Sequence, residues 1–120
     1  MGVSVYITNA LPGRQDVRAI LRQSAGSYTL AAGSKINPEP TDSLPANLRK
    51  LRTRLVEEGQ LVDRGDYLEL TKDISFSKPS PPAALVKGRS STGYRDWRRE
   101  SDQKPLGEVM ADIARQSPTA

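Results

Sequence analysis

The chain of 120 residues contains no cysteine and no histidine. Absence of cysteine rules out disulfides, thiolate zinc sites and iron–sulfur clusters, and absence of histidine rules out imidazole ligation of haem or zinc. Catalytic systems of the Ser-His-Asp or Cys-His type are excluded with them, as is a buried-histidine pH switch. The metal ligands left are carboxylates and carbonyls, and these are not clustered in sequence. Apolar residues are also sparse, at 36%, and aromatics make up only 5%. An ordinary globular domain is about 45–50% apolar, so we expect one compact region with more loosely held ends. No run approaches the roughly 18 apolar residues of a membrane-spanning helix. Met1 to Ala10 has neither the charged nor the apolar region of a secretory signal. A soluble cytoplasmic protein is the expectation, consistent with the lack of cysteine.

What is present is positive charge, with a net of +4. Its distribution is uneven. Residues 77–100 hold Lys78, Lys87, Arg89, Arg95, Arg98 and Arg99 against only Asp96 and Glu100, and they hold the single Trp. Cations interleaved with aromatics and hydroxyl residues suit contacts to phosphates and bases.

Hydrophobic spacing outlines the elements. Val3, Val5 and Ile7 alternate with polar residues and predict a strand over 3–8. Val17, Ile20 and Leu21 fall at helical spacing and predict a helix over 14–24 ended by Gly26. Tyr28 to Ala32 reads as a strand entering a Gly33-Ser34-Lys35 turn. Leu44, Leu48, Leu51 and Leu55 form one narrow stripe of a helix, with Ser43 as its expected N-cap and Gly59 as its stop. On this helix Arg49 and Arg52 flank the stripe on one side and Lys50 and Arg54 on the other, with Arg54 spaced to pair with Glu58. This is the pattern of a structural amphipathic helix rather than of a DNA recognition helix.

A hairpin is predicted from Leu61-Val62 and Tyr67 to Leu70 around a glycine turn. Thr71 to Ser75 reads as an exposed connection. Ser80 followed by Pro81 opens a short helix that ends at Gly88. Residues 89–93 form a polar loop, 94–98 a short strand, and 105–116 a final helix with Leu106, Val109, Met110 and Ile113 on one face. Residues 117–120 are expected to fray.

Catalytic patterns are missing. Gly33-Ser34-Lys35 lacks the flanking residues of a phosphate-binding P-loop, and the carboxylates supply no acid–base dyad. No cofactor and no metal are expected, and the chain reads as a non-enzyme.

Several ordered pieces carry a resemblance. They are Tyr-Thr-Leu-Ala-Ala-Gly-Ser-Lys at 28–35, Leu-Arg-Lys-Leu-Arg with a terminal Gly at 48–59, and Leu-Thr-Lys-Asp at 70–73. Phe-Ser-Lys-Pro-Ser-Pro-Pro-Ala-Ala at 76–84, Gly-Arg-Ser at 88–90, Gly-Tyr-Arg-Asp-Trp at 93–97 and Lys-Pro-Leu at 104–106 follow. Together they resemble the DUF4357 family of small bacterial domains. Lys78 and Pro81-Pro82 interrupt one usual family motif, and Thr92 and Tyr94 stand where the family has Asn and Trp. The family has no established catalytic role. It accompanies GIY-YIG nuclease domains and restriction-related genes, and is distantly similar to the RAMA domain that accompanies adenine methylases. Val5-Tyr6-Ile7 is no nuclease motif, since no second motif supports it.

The resemblance implies a non-catalytic nucleic-acid-binding module, with DNA favoured, in a restriction, modification or defence setting. The candidate contact residues are Lys35, Lys78, Ser80, Arg89, Ser90, Thr92, Tyr94, Arg95 and Arg98. Trp97 is expected in the core, with Phe76, Leu85, Val86 and Tyr94 packing the short helix onto the hairpin. The alternative is a protein-interaction module, an accessory subunit or a homodimer. The expected fold class is α+β, a small mostly antiparallel sheet packed with two to four short helices. Residues 1–26 form a strand–helix extension, 27–107 the family-like domain, and 108–120 the last helix end and tail.

Overall fold

The computed structural model describes residues 3–116. The elements run β1 (Ser4–Leu11), β2 (Arg14–Ser24), β3 (Ser27–Leu30), β4 (Lys35–Ile36), α1 (Ala46–Glu57), β5 (Leu61–Asp63), β6 (Leu68–Leu70), β7 (Ile74–Phe76), α2 (Ser80–Lys87), α3 (Gly93–Asp96), β8 (Arg98–Arg99) and α4 (Leu106–Gln116). One five-stranded antiparallel sheet has the order β7-β3-β2-β1-β8, and a three-stranded one has the order β4-β6-β5. The fold is α+β, as the sequence predicts. The expected fraying of 117–120 lies outside the described residues.

The largest difference from expectation is β2, a strand where helical spacing predicts a helix. Val17, Ala19 and Leu21 are fully buried and alternate with outward residues. Alanine weighs little in a hydrophobic pattern, so Val17, Ile20 and Leu21 mimic a helical face while Ala19 completes the period of two. The neighbouring strand decides between them. β1 pairs along β2 from Ser4↔Gln23 to Leu11↔Arg14, and such cross-strand contacts outweigh local propensity. Gly26 is therefore a hairpin residue and not a helix cap. Ala25 and Gly26 both have positive φ, 50° and 79°, as a two-residue turn of matching twist requires.

In β1 the alternation is as expected but the buried face is the other one. Tyr6, Thr8 and Ala10 point inward while Val3 is 54% exposed. The register explains it, since Tyr6 lies opposite Leu21 and Thr8 opposite Ala19. Directly paired residues share a face, so the side chains of Leu21 and Ala19 carry Tyr6 and Thr8 into the core. Burial pushes the Tyr6 hydroxyl pKa up, though Arg99 opposes the shift. β1 and β2 thus sit inside the larger sheet.

The Gly33-Ser34-Lys35 turn joins the two sheets. Gly33 N–H donates to Leu70 O, and Ser34 N–H to Ala31 O. The Ser34 hydroxyl accepts from Ile20 N–H at 3.0 Å. These amides are consumed internally, so the turn offers no anion site.

The leucine stripe of α1 is as predicted, with Leu44, Leu48 and Leu55 buried and Leu51 half-buried. Its N-cap position is Pro45, without a side-chain cap bond. Ser43 instead accepts a hydrogen bond from Ser90 N–H at 3.1 Å. Arg54 makes no ion pair with Glu58 among the described residues. Arg52 is buried, and its Nη2 donates to Asn37 O at 2.5 Å. Burial lowers its guanidinium pKa.

α2 is apolar all round and buried from Pro82 to Val86, the signature of a central helix. Two further segments differ from expectation. Residues 74–76 form the edge strand β7, paired to β3, within what reads as a connection. Residues 93–96 form the one-turn helix α3, and the strand begins only at Arg98.

Two surface carboxylates are held well below their usual range. Hydrogen bonds from Arg14 to Asp16 and from Arg99 to Asp102 bring each pKa down to about 2. A depressed carboxylate stabilises the fold above its unfolded pKa, about 4, and the contribution fades as pH falls toward 2. An NMR titration of the side-chain carboxyls is expected to show these two midpoints well below that of an unshifted aspartate. Both pairs are exposed, so the accompanying loss of stability is small.

Candidate nucleic-acid interface

The Gly-Tyr-Arg-Asp-Trp segment builds one wall of the site by clamping α3 onto the start of α2. Trp97 is fully buried, and its indole Nε1–H donates to Pro79 O at 2.9 Å. Gly93 lies against the same carbonyl. A Cβ there would stand 2.3 Å from Pro79 O and 2.7 Å from Ser80 N. Gly93 N–H donates to the Ser80 hydroxyl at 2.9 Å. Ser80 is thus the first residue of α2, after the N-cap position Pro79, and its side chain is engaged inside the protein instead of capping. Gly93→Ala is expected to cost about 1–3 kcal/mol or more, because backbone must move to admit the methyl. A shifted midpoint in urea unfolding, with the slope unchanged, is the readout.

The C-terminal end of α2 is held from the other side. Gly88 closes the helix at φ 72°. Thr41 N–H donates to Gly88 O at 2.7 Å, and Asn37 Nδ2 donates to Lys87 O at 3.2 Å. Segment 37–41 is in turn pinned to α1, by Arg52 on Asn37 O and by Arg49 on Thr41 O. Two arginines of α1 are therefore tied to backbone carbonyls.

Between these walls and the β1–β2 turn lie two adjoining recesses. The first, of about 380 Å³, is lined by residues 9–13 together with Asn37, Thr41, Lys87 and Arg89. The second, of about 190 Å³, is lined by Ile7 to Asn9, Lys87, Asp96, Arg98 and Gln103. Asn9 and Lys87 belong to both. Lys87 Nζ donates to Asn9 O at 2.9 Å, and burial lowers its pKa, with Asp96 opposing and Arg89 and Arg95 adding to the shift. Lys87, Arg89 and Arg98 make no ion pair among the described residues. Asp96 is the one carboxylate lining either recess. It is engaged by the Ser91 hydroxyl and by Arg95 at 3.5 Å.

The structure brings some of the predicted residues together and scatters others. Arg89 and Arg98 line the recesses at either side of Lys87. Arg95 is outward beside Asp96, and Thr92 and Tyr94 are exposed on the same short segment. Tyr94, at 43% exposed, is not a core residue. Ser90 is exposed and anchored through its amide to Ser43. Lys35 lies elsewhere, on β4, with its Nζ on Asp16 O at 3.0 Å and 4.8 Å from the Tyr67 ring centre. Lys78 is exposed before α2 and lines neither recess.

Lys87 is the site residue missed in the list of candidates. Its place in the basic run 77–100 is the signal that points to it. Asn9, Asn37 and Thr41 have no such signal, because distant chain segments bring them here.

What these elements define is a small α+β domain with a cationic double recess beside the end of a buried helix. Residues 12–110 match the family described as Domain of unknown function (DUF4357), and the chain belongs to that family. No curated protein and no solved structure matches it. Among the described residues no three carboxylates converge as a metal site would need, and no helix is long and apolar enough to cross a membrane.

Proposed function

We propose that this chain is a non-catalytic nucleic-acid-binding module that favours DNA and acts inside the cell in a restriction, modification or defence setting. The observation that carries the reading is the double recess with Lys87 between Arg89 and Arg98, three cations without a carboxylate partner among the described residues. Cations free of internal pairing are available to replace the counterions of a phosphate backbone. Arg89 and Arg98 supply forked donors that match phosphate oxygens, while Lys87 supplies a point charge. The amides and hydroxyls of Asn9, Asn37 and Thr41 add hydrogen-bonding groups beside them. Arg95, Tyr94 and Thr92 extend the contact along the rim, with the Tyr94 ring as a stacking surface.

Fluorescence anisotropy of labelled duplex DNA, plain and adenine-methylated, at two salt concentrations tests this. The expected result is salt-sensitive binding, with log K falling against log salt at a slope of about −3 if three cations each meet a phosphate. Tighter binding to methylated DNA would extend the likeness to RAMA domains. Absence of binding at low salt would overturn the reading.

A further inference from the structure

A second surface lies away from the cationic recesses. β7 is an edge of the five-stranded sheet, paired to β3 in the register Tyr28↔Phe76, Thr29↔Ser75, Leu30↔Ile74. Ala31 N–H donates to Ile20 O on β2. Main-chain groups of an antiparallel strand alternate sides residue by residue, so Thr29 also faces β2 while Tyr28 and Leu30 face β7. Ile74 and Phe76 therefore turn their N–H and C=O groups inward, and Ser75 turns its pair outward. Ser75 is exposed, and neither of its main-chain groups bonds another backbone group outside the sheet among the described residues.

The space beyond this edge is a groove and not open solvent. Two adjoining recesses of about 460 and 530 Å³ share Leu51 and Arg54 and separate β7 from α1. Leu51, Ile74 and Phe76 give the groove an apolar floor, all three half-buried and packed against the core. Lys50, Arg54 and Lys72 stand around it without an ion pair among the described residues. Of the carboxylates there, Asp73 is taken up by Arg22 at 2.6 Å and by Ala32 N–H at 2.7 Å. Glu58 alone remains against the three cations.

We propose that this groove binds an extended peptide segment of another protein, alternating acidic and apolar residues, added as a strand beside β7. Strand addition takes its affinity from main-chain hydrogen bonds and its selectivity from pockets for alternate side chains. Ser75 offers the donor and acceptor. The apolar floor takes one side of the incoming strand, and the cations face its carboxylates. A nucleic acid fits less well, because the outward Ser75 carbonyl repels phosphate and the floor offers it no charge.

The test titrates the whole chain into a fluorescein-labelled peptide of sequence Asp-Val-Asp-Leu-Asp-Val-Asp. The expected result is saturable binding, with amide NMR shifts centred on Ser75 and its neighbours. Ser75→Pro removes the outward N–H at an edge position that tolerates proline, and is expected to weaken binding by about tenfold. Arg54→Glu with Lys72→Glu should do the same, whereas Arg89→Glu with Arg98→Glu should leave peptide binding unchanged. A peptide N-methylated at alternate residues should fail to compete, which keeps the test valid if Ser75→Pro does not fold. The proposal is overturned by absence of binding at about millimolar protein, or by equal binding of the N-methylated peptide. It is also overturned if an oligothymidylate, and not the peptide, loses affinity in the Arg54 and Lys72 variant.

Discussion

Trp97→Ala is expected to lower the unfolding free energy by about 3–5 kcal/mol, a large share of the roughly 5–15 kcal/mol typical of a domain. The side chain is completely buried, and three elements meet on it. Its indole donates to Pro79 O before α2. Its amide donates to Gly93 O in α3, and its carbonyl accepts from Leu106 N–H at the start of α4. Truncation opens a cavity and leaves the Pro79 carbonyl without its indole donor. Trp97→Phe retains most of the apolar contact but loses that donor, so about 1–3 kcal/mol plus a smaller cavity term is expected. Urea unfolding followed by circular dichroism should rank the three as native, then Phe, then Ala. Equal stability of the Phe variant and the native protein would show that the Pro79 bond contributes nothing.

Arg89→Glu combined with Arg98→Glu is expected to weaken duplex DNA binding at low salt by roughly a hundredfold and to reduce the salt slope by about 2. Both guanidinium groups border Lys87, and neither makes an ion pair among the described residues. The substitutions therefore alter the field of the recesses without breaking an internal salt bridge. Both side chains are exposed, so unchanged thermal unfolding is expected alongside. Lys78→Glu, outside both recesses, should have a smaller effect than either single reversal. An affinity unmoved by the double variant would remove the recesses from the proposed interface.

Where sequence and structure agree, a strong local pattern was sufficient. The leucines of α1 recur at one spacing with no competing period, and they are buried. The β5–β6 hairpin is bracketed by a glycine turn, and α4 follows Pro105. Trp97 lies in the core as predicted. Where they differ, two patterns competed or none existed. Val17, Ile20 and Leu21 fit a helix as well as Val17, Ala19 and Leu21 fit a strand. In β1 either face was apolar enough to be buried. Ser43 and Ser80 stand before helices as caps do, yet each hydroxyl accepts from an amide far along the chain, Ser90 and Gly93. Of the site, the basic run 77–100 was legible, including Lys87. The neighbours Asn9, Asn37 and Thr41 were not.

Read without coordinates, the residues settle the chemistry this protein lacks, because thiolate and imidazole reactions require side chains it does not have. They also settle its family and its α+β class, through motifs that survive in order. Tertiary structure decided which face of β1 is buried, that β2 is a strand, and which cations remain free. Those outcomes depend on pairing across the chain, such as Tyr6 with Leu21 or Arg22 with Asp73. Local periodicity carries no information about such partners, since the energy that selects them arises only when distant segments meet.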